Sequence, residues 1–149
     1  MENQNIEKPT DRAEINVALL IARLAIGVVF TIHGSQLLIG AFGGPGLAAT
    51  VKMMGPIGYL VTIGEFFGGL GIIVGFLSRF SAAALIIIML GAIFTVHLKN
   101  GFFMNWYGKQ AGEGFEYHIL AIAIFLLILI IGPGKIAASR FLKLPKFAE

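Results

Sequence analysis

The chain has 149 residues, of which 57% are hydrophobic, 13% are charged and none is cysteine. A soluble domain averages about 45–50% apolar and about 25% charged residues, so this chain lacks the charge to wet a globular surface, and its mean hydropathy of +0.88 agrees. Without cysteine it builds no disulfide, thiolate metal site, cysteine-ligated iron–sulfur cluster or CxxC exchange centre from its own residues. The formal charge of +3 does not point to nucleic acid, because four of the eleven basic residues, Lys135, Arg140, Lys143 and Lys146, sit in the C-terminal tail, where they would face anionic lipid.

Residues 1–16 are polar and carry Glu2, Glu7, Asp11 and Glu14, unlike the basic start of a signal peptide, so no cleaved leader is expected. A bilayer core of about 30 Å takes about 20 apolar residues in a helix. Four runs of that kind follow, at 17–39, 57–77, 80–98 and 115–132. Gly40 to Pro45 breaks the first, Leu77–Ser78–Arg79 is too short to join anything but antiparallel neighbours, and Gly132–Pro133–Gly134 stops the fourth. Leu47 to Met54 reads either as a surface helix with Lys52 at the headgroups or as a turn. The sequence therefore predicts an all-α, integral membrane four-helix bundle over 17–132, between a polar segment, 1–16, and a basic tail, 133–149.

Orientation follows from basic residues near helix ends, which mark the cytoplasmic side. Lys8, Arg12, Arg79, Lys135, Arg140, Lys143 and Lys146 fall on one side against Lys52, Lys99 and Lys109 on the other. Both termini are thus expected in the cytoplasm, in a multi-pass protein of the plasma (inner) membrane. Tyr59, Trp106, Tyr107 and Tyr117 fall at or beyond the outer helix ends, as interfacial aromatics do. In the second helix Gly64, Gly68, Gly71 and Gly75 form a stripe suited to close helix packing, inside the bundle or between copies in a homo-oligomer.

Ionisable side chains inside a membrane are costly and need a partner or a task. Those within the predicted helices are Arg23, His33, Glu65, His97, Glu116 and His118. Antiparallel topology turns position into depth: His33, His97, Glu116 and His118 all come out in the outer half, while Glu65 lies near the middle with Arg23 close enough in depth to form a structural ion pair. Phe30–Thr31–Ile32–His33 is echoed by Phe94–Thr95–Val96–His97, consistent with two repeated hairpins.

Imidazoles and carboxylates clustered beside phenylalanines suit a quinone or quinol site, with His33, His97 and Glu116 handling protons and Phe30, Phe102, Glu65, His97, His118 and His33 forming the pocket. Haem ligation by His33 and His97 is a second expectation, a small-molecule permease a third, and purely structural roles the plain alternative. No metal site is read from the sequence.

Arg23, Gly27, Phe30, His33 and Gly34 together resemble the RxxxGxxFxxHG opening of the DoxX family of small membrane proteins. Glu65 to Gly69 with Gly75 and Ser78–Arg79, Met89 to His97, Asn100 to Phe103, and Gly114 to Glu116 are similar to its later blocks. Ser35–Gln36 stand where the family often carries lysine. The resemblance implies a four-helix bundle linked to respiratory or oxidative-stress complexes, since the family's name comes from a relative of the membrane subunit of thiosulfate:quinone oxidoreductase. It also implies partner subunits, as an oxidoreductase component or as a non-catalytic scaffold that recruits a partner through the glycine stripe or the outer loop.

Overall fold

The computed structural model describes residues 12–142. Lys8, Lys143 and Lys146, which bear on the expected orientation, lie outside the described residues. Within them the chain is helical, without a strand. Five α-helices form: α1 (Ala13–Ile39), α2 (Gly46–Met54), α3 (Ile57–Val74), α4 (Ser78–Ala92) and α5 (Glu116–Ile131). The two readings of the segment after the first helix resolve as a helix, α2.

Three spans are long and apolar enough to cross a membrane: α1, α3 and the continuous stretch Ser78–Asn100. The last is α4 prolonged by a π-helical turn, Ile93–His97, and a 3-10 turn, Leu98–Asn100. A π turn widens the helix and re-aims the side chains after it, and such turns are frequent at functional sites. Here it carries His97. The second helix ends three residues earlier than the expected Leu77, because Gly75 takes the left-handed conformation (φ 75) and its N–H caps the Gly71 carbonyl. α5 is a 16-residue apolar helix, about 24 Å long.

The helices pack antiparallel in sequence order. α1 lies on α3 through glycines that admit backbone to backbone: a Cβ on Gly34 would overlap the Phe66 backbone, and one on Gly69 would sit 2.6 Å from the Thr31 nitrogen. The Gly64, Gly68, Gly71 stripe faces α4, meeting Ile88, Leu85 and Ser81 in turn. The stripe is therefore spent inside the bundle. Ile26, Phe30, Ile72, Leu85, Met89, Phe125 and Ile128 meet in one core, while outward residues such as Ile21, Leu60, Ile87 and Ile130 remain more than 60% exposed, as a lipid-facing surface requires.

Residues 132–140 include the start of the basic tail. They fold back over one end of the bundle, where the Lys135 N–H donates to Asn16 Oδ1 and the Ser139 N–H donates to the Gly75 carbonyl. Pro133, Gly134, Ala137 and Ser139 are buried there. The start of α1, the α3–α4 turn and the end of α5 thus gather at one end of the bundle, and the loops 40–45 and 101–115 lie at the other.

Candidate functional site

Arg23 is 1% exposed, yet it is not paired with Glu65. Its Nε donates to the Ile72 carbonyl (2.9 Å), Nη2 to Ile73 (2.8 Å), and Nη1 to both Pro133 and Ile136 (2.7 Å each). The expected ion pair is corrected for a plain reason. The last carbonyls of a helix have no intrahelical donor, and a guanidinium with five N–H groups satisfies several of them at once. Arg23 thereby ties α1 to the end of α3 and to the segment after α5. Gly75 closes this cage, since a Cβ there would lie 2.7 Å from Nη2. Nearby, Arg79 Nη1 donates to the Leu129 and Ile130 carbonyls near the end of α5.

The loop end is built differently. His97 Nδ1 lies 2.8 Å from the Glu113 carbonyl oxygen, and Asn100 Nδ2 donates to the same atom (3.0 Å). Glu113 also accepts from the Asn105 N–H (2.6 Å), so it organises the loop from both its carboxylate and its backbone. Glu116, in the first turn of α5, accepts through Oε1 from the Met104 N–H (3.1 Å) and from Trp106 Nε1 (3.0 Å). Its carboxylate thus joins a helix N-terminus to the loop, where negative charge is favoured.

The histidines converge. The His97 and His118 rings are 4.2 Å apart by centroid, and His33 also lies within electrostatic reach of His118. His118 is buried and its Nδ1 has no hydrogen-bond partner. Tyr117 packs edge-on against His118 (5.6 Å), lies parallel to Phe30 (6.5 Å, 19°) and is within electrostatic reach of Glu65. Phe30 in turn meets Phe125 edge-to-face at 4.9 Å, which places it in the core.

A cavity of about 460 Å³ opens beside this cluster, lined by Phe102, Met104, Trp106, Glu116, Tyr117, Ile119 and Leu120. Of the residues expected in a pocket, Phe102 and Glu116 line it. Phe30, His33, Glu65, His97 and His118 do not: Phe30, Glu65 and His118 are buried in the bundle, His97 is half-buried against the Glu113 carbonyl, and His33 is exposed. Sequence reasoning missed Met104, Ile119 and Leu120 as wall residues and Glu113 as the loop's organiser. Tyr117 and Trp106 were visible only as interfacial aromatics. Among the described residues no group of three or more His, Asp or Glu is arranged to hold a metal ion.

Comparison with known proteins agrees with this architecture. A Bacillus subtilis (strain 168) protein named "Putative oxidoreductase CatD" is 28% identical over 137 residues, covering 88% of this chain and 87% of its own. No solved structure matches the chain. The DoxX family model matches residues 18–98, more than half of the sequence, from within the first helix to just past His97, and the chain therefore belongs to the DoxX family.

Proposed function

We propose that this protein is a multi-pass component of the plasma membrane that binds quinone or quinol in the cavity beside α5 and serves an oxidoreductase system. One observation carries the reading: a cavity of about 460 Å³, within the usual range for small-molecule sites, whose walls are aromatic and aliphatic apart from one carboxylate and one phenol. Phe102, Trp106, Ile119 and Leu120 suit a flat ring and an isoprenoid tail. Glu116 and Tyr117 are the groups that can accept or donate a proton there. The oxidoreductase name of the Bacillus relative supports the direction. Bound quinone would supply two-electron chemistry, and electrons would pass to or from a separate redox subunit.

In this reading α5 is the fourth span, antiparallel to α4 and as apolar as the others. Arg12, Arg79 and Arg140 gather at one end, which supports a cytoplasmic side for that end and for both termini. A permease has less support, because Ile72, Leu85, Phe125 and Ile128 fill the interior. A partner subunit or second copy would dock at the loop end rather than on the glycine stripe, which α4 already covers.

Trp106 is the sole tryptophan and lines the cavity, so its fluorescence reports occupancy directly. Titration with a short-tailed benzoquinone or naphthoquinone should quench it saturably, and Leu120→Phe, which fills the cavity, should weaken binding at least about tenfold, or about 1.4 kcal/mol. Linear quenching, identical in both proteins, would reflect partition into detergent and overturn the site. An absorption spectrum of the purified protein with a Soret band would instead bring the histidines forward as haem ligands.

A further inference from the structure

On the interior side of Tyr117 lie polar groups that the cavity does not use. Glu65 is buried in α3 and forms no hydrogen bond with a described residue. Thr62, one turn earlier, has a buried hydroxyl without a partner, and so does His118 have an unpartnered ring nitrogen. In a membrane interior such groups are expensive to maintain and mark a path or a site. We infer that His97, His118, Tyr117 and Glu65 form a proton line that opens at the loop end of the bundle and terminates on the Glu65 carboxyl.

The entrance is defined by tautomer. A carbonyl oxygen only accepts, so the 2.8 Å contact to Glu113 requires that His97 Nδ1 carry the hydrogen, leaving Nε2 as the basic nitrogen. Behind it His118 stands at 4.2 Å by ring centroid, then Tyr117 at 5.6 Å, then Glu65 within electrostatic reach of the phenol. His33 of α1, itself exposed, lies within electrostatic reach of His118 as well, and Glu116 of α5 flanks Tyr117 on the cavity side. Beyond Glu65 the next layer is Ile72, Leu85 and Ile128, all without accessible surface, and Arg23 below is committed to four carbonyls. Neither that apolar layer nor Arg23 offers a proton acceptor beyond Glu65.

A solvent proton binds His97 Nε2 and passes to a ring nitrogen of His118. His118 returns it to the Tyr117 oxygen as the phenol's own proton moves to Glu65. Each transfer breaks one N–H or O–H bond and forms another, no electron moves, and small rotations or a bridging water span the gaps. The charge in the middle of the bundle is then set by the pH at the loop end. No quinone takes part, so the inference stands or falls apart from the cavity reading.

The test uses the full chain in lipid nanodiscs without added quinone, with infrared detection of the carboxylic acid band during a pH step from about 9 to about 5 and during transfer to heavy water. A band lost in Glu65→Gln, whose appearance or deuterium shift slows at least about tenfold in Tyr117→Phe and in His118→Asn but not in Glu116→Gln, is the expected result. Tyr117→Phe keeps the ring packing on Phe30, so the test survives if His118→Asn fails to fold. A Glu65 that stays ionised throughout, or that exchanges at the wild-type rate in Tyr117→Phe, overturns the proton line.

Discussion

The two ends of the bundle handle their buried ionisable side chains in opposite ways. At the terminal end Arg23 is wholly enclosed, and each guanidinium nitrogen donates to a backbone carbonyl, at the end of α3 or in the segment after α5. At the loop end His118 Nδ1 and Thr62 Oγ1 are buried without partners, and a cavity opens beside them. A satisfied network rigidifies, whereas unsatisfied groups keep their capacity for ligands and protons. The terminal end is thus the clamp of the molecule and the loop end its reactive part.

That contrast breaks most severely at Arg23. Replacing it by Met takes the Arg23 donor from four carbonyls, two in buried and two in part-buried contacts, and releases the 132–140 segment, at a cost of at least about 3 kcal/mol. Thermal unfolding in detergent should shift sharply downward, and limited proteolysis should cut after α5. Arg23→Met that unfolds like wild type would remove the clamp from the account. Next in size is the α1–α3 contact. Gly34→Val forces a side chain into the Phe66 backbone and should destabilise by about 2–3 kcal/mol, while Gly91→Ala, with nothing within 4 Å, should be neutral or slightly stabilising. Equal effects of the two would mean that the close approach does not hold these helices together.

Much of this was legible in the sequence, and the parts that were not share a cause. Four apolar runs, their antiparallel order and the glycine stripe follow from hydropathy and spacing, because the bilayer imposes element length and small residues permit contact. That His97, His118 and His33 lie at similar heights follows from depth, and the ring contact of His97 with His118 is what the fold adds. The carbonyl partners of Arg23, in place of the expected Glu65, did not follow, because backbone carbonyls leave no mark in the sequence. Only the Gly132–Pro133–Gly134 stop hinted that free carbonyls would collect near an inner arginine. The cavity was hidden likewise: Phe102, Met104 and Trp106 reach the wall only because Glu116 and the Phe102 carbonyl fold the loop back onto α5.

The smallest expected effect sharpens the comparison most, because it separates holding from reacting within one residue. Glu116 accepts two hydrogen bonds through one oxygen, and a glutamine presents a carbonyl oxygen in the same place. Glu116→Gln should therefore keep the loop folded, changing stability by no more than about 0.5–1 kcal/mol, the difference between a charge-assisted bond and a neutral one. Glu116→Ala removes both bonds, frees Trp106 Nε1 and should shift the emission of that tryptophan as the loop detaches. If the carboxylate also receives a proton from a cavity ligand, Glu116→Gln should leave Trp106 quenching by quinone near wild type and alter its pH dependence. Equal loss of quenching in both variants would assign Glu116 to the architecture of the loop alone, and the chemistry of the cavity would then rest on Tyr117.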